Sequence, residues 1–153
     1  MTAHVTELNW RLTHRPRSGS LVVPFMVDAT QVPIDFKAVD HGHVERCARE
    51  KLCGVCGLRI QWGRDLFAFL GPLRDLQCFG DPWMHEGCAD YTAGACPFVS
   101  GKRRVWREGD MPSTEVFKGS WMLLIAQGGK VHTDPNGAYH FEPVKVLRTA
   151  VFE

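Results

Sequence analysis

Hydrophobic and polar positions along this chain change period several times, and the changes mark its elements. Leu21-Val-Val-Pro-Phe-Met-Val27 is an apolar, β-branched run that predicts a strand, with Pro24 confining it to an edge or a bulge. From Val32 to Val39, Ile34, Phe36 and Ala38 alternate with Asp35 and Lys37, the two-residue period of a second strand, and Asp28-Ala-Thr-Gln31 reads as the loop between. The period then lengthens: Val44, Cys47, Ala48 and Leu52 recur at helical spacing while Glu45, Arg46, Arg49 and Glu50 fall on the other side, and Asp40 supplies an N-cap. Leu58 to Trp62 and Asp65 to Leu70, joined by Gly63-Arg64, predict a hairpin with Phe67, Phe69 and Leu70 as its apolar content, ended by Gly71-Pro72. A second helix is expected over Trp83 to Ala95, where His85, Cys88, Ala89 and Thr92 share a face and Pro97 prevents continuation. Trp121–Ala126, Lys130–Thr133, Tyr139–Phe141 and Val144–Val151, divided by Gly128-Gly129 and Asp134-Pro-Asn-Gly137, predict a small antiparallel meander. Residues 1–19, ending in Arg15-Pro-Arg-Ser-Gly19, read as an irregular arm, and residues 20–153 as one domain with its C-terminal strands at about 115–152.

With 153 residues, 44% of them hydrophobic and 23% charged, the chain has the composition of one globular domain. Its net charge of +1 excludes nucleic-acid binding by bulk electrostatics, so any basic surface must be local. Apolar runs fall far short of the roughly 20 residues needed to cross a bilayer, and no membrane span is expected. Met1 to Arg17 contains no apolar run, so no secretory leader is expected and the chain is placed in the cytoplasm.

In a reducing compartment the six cysteines read as metal ligands and buried thiols rather than disulfides. Cys53-Gly-Val-Cys56 is followed, after about 28 residues, by His85-Glu-Gly-Cys88. A Cys-x-x-Cys turn brings two thiolates to one ion, and a pair spaced by three residues does the same from the first turn of a helix. Cys53, Cys56, His85 and Cys88 therefore make a C2HC set for Zn2+. The order knuckle, hairpin, metal helix is treble-clef-like. The expected fold is thus α+β, a small mixed domain with short antiparallel strands and two helices around a zinc module at about residues 52–98. With all four positions filled by protein, the ion would be structural. Cys47, Cys78 and Cys96 read as core packing. An iron–sulfur cluster, the competing possibility, would recruit Cys78 or Cys96 beside Cys53, Cys56 and Cys88.

The strings Leu52-Cys-Gly-Val-Cys-Gly-Leu58, Ala68-Phe-Leu-Gly-Pro72, His85-Glu-Gly-Cys-Ala-Asp-Tyr91 and Ala95-Cys-Pro-Phe98 resemble an uncharacterised zinc-binding family of actinobacterial bacteriophages and their hosts. Val23-Pro-Phe-Met-Val27, Asp35-Phe-Lys37 and Lys102-Arg-Arg104 share in the likeness. The resemblance implies metal binding and a phage setting, and no activity.

Other chemistries fit less well. The zinc deaminase pattern puts His-x-Glu before the cysteine pair, whereas here the cysteines come first. His85-Glu-Gly-Cys88-Ala lacks the second histidine of a metalloprotease helix. A divalent-metal nuclease, the alternative function, would draw on Asp40, His41 and His43, or on His132 and Asp134. Lys102, Arg103, Arg104, Trp106 and Arg107 interleave cations with an indole that could stack on a base, although a solvated loop accounts for them too. Trp10, Trp62, Trp83 and Trp121 are candidate anchors for a protein partner. The function expected from the sequence is that of a non-catalytic zinc-stabilised protein that binds a host protein or nucleic acid, with no small-molecule substrate.

Overall fold

The computed structural model describes residues 10–72, 78–96, 99–109 and 120–153. The described residues form a mixed α+β domain with two α-helices and two antiparallel sheets. Arg17–Ser18 (β1) and Leu21–Val22 (β2) form a two-stranded ribbon. His41–Glu50 is α1, Phe67–Pro72 is β3, Met84–His85 is β4 and Glu86–Ala95 is α2. Arg104–Glu108 (β5), Trp121–Thr133 (β6) and Tyr139–Phe152 (β7) complete a five-stranded sheet of order β4-β3-β6-β7-β5.

Phe67, Phe69, Leu123, Ile125, Phe141 and Trp83 form the centre of the main core. Consecutive buried residues in β3 and β6 show that both sheet faces are covered where these strands pair. The α2 helix lies against β3 and β6, and α1 against β7. Ahead of β1, Leu12 is buried in the main core, on a single turn of 3-10 helix at Trp10–Leu12. Among the described residues, no helix is long and apolar enough to cross a membrane.

The first helix follows its pattern: Asp40 Oδ1 accepts the His43 N–H at 3.1 Å, and Val44 and Cys47 are buried. Several local expectations give way: the strand over Leu21–Val27 shortens to Leu21–Val22, and the helix expected over Trp83–Ala95 begins at Glu86, because Met84–His85 pairs with β3. Val32–Val39 is not a strand, and only Val27 and Val39 bridge. Asp28 and Asp35 accept the N–H groups of Thr30 and Lys37, folding the backbone into local turns, and Val32 and Phe36 are exposed. The Leu58–Leu70 hairpin divides: Arg59 bridges back to Leu52, Gln61–Asp65 closes a turn, and β3 joins the sheet between β4 and β6. Of Lys102–Arg107, expected as a loop, only Lys102 and Arg103 stay outside a strand, because Arg104–Glu108 pairs with β7.

The expected meander is a single two-stranded ribbon, since Gly128 and Gly129 lie inside β6 and pair with Val144 and Pro143. These glycines leave room for aromatic rings. A Cβ at Gly129 would stand 2.6 Å from Trp83 Cε3, and one at Gly128 would stand 2.1 Å from Trp62. Residues 115–119, assigned to the C-terminal strands from sequence, lie outside the described residues.

Candidate metal centre

Two segments build the centre, and a third holds them. The Cys53–Cys56 knuckle turns back so that Cys53 N–H donates to the Leu58 carbonyl at 2.8 Å and Gly57 N–H to the Cys53 carbonyl at 2.9 Å. Gly57 has φ +78°, a left-handed conformation that glycine takes freely, and a side chain there would meet Phe25 at 2.8 Å. Phe25 and Met26 donate their N–H groups to the carbonyls of Val55 and Gly54 at 2.9 Å each. On the other side Gly54 N–H donates to the Trp83 carbonyl at 2.9 Å, which joins the knuckle to the strand that delivers His85.

His85 ends β4 and stands at the N-cap of α2, with Cys88 in that helix's first turn. Donor atoms of Cys53, Cys56, His85 and Cys88 all lie within 4.8 Å of one another, and all four residues are buried, none more than 3% exposed. The Cys53 Sγ accepts backbone N–H groups from Val55 (3.4 Å), Cys56 (3.5 Å) and His85 (3.3 Å), while Cys56 Sγ accepts from Leu58 at 3.4 Å. Such donors compensate the negative charge of a thiolate taken out of water. His85 Nδ1 stands 3.3 Å from Cys56 Sγ, facing the sulfurs. Its Nε2 is 3.1 Å from the Arg59 carbonyl and 3.8 Å from Asp65 Oδ2, so Nε2 carries the proton and Nδ1 the free lone pair.

Burial opposes charge on Cys53, yet hydrogen bonds from the Cys56 and Cys88 thiols outweigh it and hold its pKa well below the ordinary thiol value. The proton shared with Cys53 pushes Cys56 up to about 12, and hydrogen bonds to Cys53 and Cys56 push Cys88 upward as well. Of the three thiols, Cys53 is therefore the one that ionises most readily. A divalent ion would displace the thiol protons and offset two of the three thiolate charges. The donor set, its burial and the inward-facing imidazole nitrogen fit a metal ion.

The sequence located these four residues and missed their supports. His14 Nε2 lies 2.9 Å from the Cys56 carbonyl, and Tyr91 Oη accepts the Val22 N–H at 3.0 Å, tying β2 to α2. Neither has a local sequence signal, because each acts across the fold. Neither Cys78 nor Cys96 joins the centre as the iron–sulfur reading required. Cys78 lies with His132 and Glu142 instead, and Cys96 is half-buried at the end of α2.

The remaining candidates are dispersed. Asp40 caps α1, and His43 stacks on Phe25 with centroids 4.0 Å apart and Nδ1 2.7 Å from the Phe25 carbonyl. Asp134 accepts from Asn136, Ala138 and His140, shaping the β6–β7 turn, and is not paired with His132. Among the described residues neither nuclease set forms a metal-binding cluster. In the basic segment, Arg104 pairs with Asp90 of α2 at 2.7 Å. Arg148, which bonds Glu86 of α2, lies over the Trp106 ring at 4.5 Å from its centroid. Arg103 stands 3.8 Å from Glu153, and Lys102 and Arg107 are exposed. Two arginines of this face are therefore engaged in joining sheet to helix. Among the tryptophans, Trp83 is buried and Trp121 half-buried, whereas Trp10 and Trp62 are exposed. No family model, curated protein or solved structure matches the chain.

Proposed function

We propose that Cys53, Cys56, His85 and Cys88 hold one structural Zn2+ in a treble-clef-like arrangement, and that the chain is a non-catalytic binding protein. One observation carries this: the donor atoms of four buried residues lie within 4.8 Å of one another, which supports a closed set with no coordination position left for a reacting water. Three thiolates and an imidazole are the ligands of tetrahedral structural zinc. The ion's role would be to fix the knuckle, β3 and β4 against α2 and so hold the outer surfaces in register. The resemblance suggests a phage protein acting in the cytoplasm of an infected host. A host protein is the first partner class, because the arginines around Trp106 are largely neutralised by α2 carboxylates. A nucleic-acid partner draws support from exposed Lys102, Arg103 and Arg107 beside exposed Trp106 on β5.

Elemental analysis of the purified chain is expected to give one zinc per molecule, and Cys53→Ser to lose both the zinc and the cooperative melting transition. A metal-free protein that melts as the parent does would overturn the structural role. For the partner, binding to DNA or RNA that falls steeply with salt and drops in Arg103→Ala/Arg107→Ala identifies nucleic acid. Cross-linking to a host protein with no such salt dependence identifies a protein partner.

A further inference from the structure

A second group of metal-ligating side chains lies outside the Cys3His centre. Phe79 and Phe141 exchange both backbone hydrogen bonds at 2.8 Å, which sets Cys78 beside Glu142 of β7. On the other side of β7, β6 pairs Lys130 with Glu142 and His132 with His140, so His132 lies diagonal to Glu142 on the same sheet face. Three adjacent backbone segments thus each contribute one donor. The Cys78 sulfur, one nitrogen of His132 and one oxygen of Glu142 lie within 4.8 Å of one another, with His132 Nε2 3.4 Å from Glu142 Oε1. Cys78 and Glu142 are half-buried and His132 is exposed.

Two other readings of this trio are weaker. As an ion pair alone, His132 and Glu142 leave the approach of a thiol unexplained. As a nucleophilic triad, the histidine would direct one nitrogen to the cysteine and the other to the carboxylate, whereas here a single nitrogen converges with both partners. Burial, with the charge of Glu142, also raises the Cys78 pKa, the wrong direction for an activated nucleophile.

We propose that Cys78, His132 and Glu142 form a second, open site for an exchangeable divalent transition metal. A thiolate, an imidazole and a carboxylate make a mixed set that suits Zn2+, Co2+ or Ni2+ and disfavours Mg2+ and Ca2+, which prefer all-oxygen surroundings. Three protein donors leave at least one position for solvent or for a ligand brought by a partner. With fewer donors and more exposure than the Cys3His centre, it binds more weakly and exchanges its ion. His132 and Glu142 sit on the paired strands β6 and β7, and Cys78 precedes the Phe79–Phe141 bridge, which predisposes the donors to one geometry.

The test uses the full chain carrying one equivalent of zinc, titrated with Co2+, which does not displace zinc from a thiolate site because zinc binds such ligands more tightly. The expected result is uptake of one further equivalent, with a single-thiolate charge-transfer band and unchanged zinc content. Cys78→Ser and Glu142→Gln should each abolish that uptake while retaining zinc and the parental melting curve, and excess Mg2+ should leave it untouched. No uptake beyond the zinc equivalent, uptake unaltered in both variants, or ready displacement by Mg2+ would overturn the site. Failure of the chain to hold the first equivalent of zinc is a separate result, and it counts against the structural zinc alone.

Discussion

Replacing Gly129 by alanine tests how the long strand supports the metal centre. Gly129 lies in β6 beneath Trp83, and an alanine Cβ would meet Trp83 Cε3 at 2.6 Å, Cζ3 at 2.8 Å and Phe69 Cζ at 3.1 Å. Ordinary contact begins near 3.4 Å, so the indole would have to retreat by roughly 0.8 Å. It has little room to do so, because Phe67, Phe69 and Phe141 hold it edge to face with centroids 5.4, 6.4 and 4.9 Å away, and it is 1% exposed. Overpacking of this kind costs about 1–3 kcal/mol. At about 2–4 °C per kcal/mol for a domain of this size, thermal unfolding followed by circular dichroism should fall by about 2–12 °C. Two neighbours calibrate the argument. Gly128→Ala clashes with Trp62, but that ring is 56% exposed and can swing away, so the loss should be smaller. Gly80→Ala meets nothing within 4 Å and should stay within about 0.5 kcal/mol of the parent. A Gly129→Ala protein that melts with the parent, or a Gly128→Ala protein that loses more, would refute the packing account.

Gly94 lies in the last turn of α2 with open space around it, so Gly94→Ala should stabilise by about 0.5–1 kcal/mol in denaturant unfolding; a destabilised variant would contradict this. Metal loading at neutral pH should expel protons chiefly from Cys56 and Cys88, whose pKa values are raised, and fewer from Cys53, whose value is lowered. Affinity should therefore rise with pH and fall as protons compete for the sulfurs in acid. The depressed Cys53 value acts in the same sense, since its contribution is complete above the ordinary thiol pKa and lost as pH falls through the lowered one. Calorimetry in buffers of different ionisation enthalpy should register proton release on metal binding, and no release would contradict the raised values of Cys56 and Cys88.

Legibility from sequence followed the range of the interaction. Cys53, Cys56, His85 and Cys88 could be read because a knuckle and a helical turn each impose a short spacing. The α1 helix was equally plain, since Asp40, Val44 and Cys47 act within a few residues. Misreadings arose where a residue's role is set far along the chain. Gly128-Gly129 has the look of a turn, and only the presence of Trp62 and Trp83 above the strand explains why small residues stand there. Arg104 and Trp106 suggested a solvated segment because their partners, Asp90, Arg148 and β7, come from elsewhere. The alternation of Val32–Val39 was a true pattern overruled by two aspartates that capture neighbouring N–H groups.

The knuckle's backbone is completed by Phe25 and Met26 on one side and by Trp83 on the other. A peptide excised around Cys53–Cys56 and His85–Cys88 would lack the first of these and should hold a metal ion poorly. On the proposed reading, a metal ion held here would depend on segments that come together only in the folded chain.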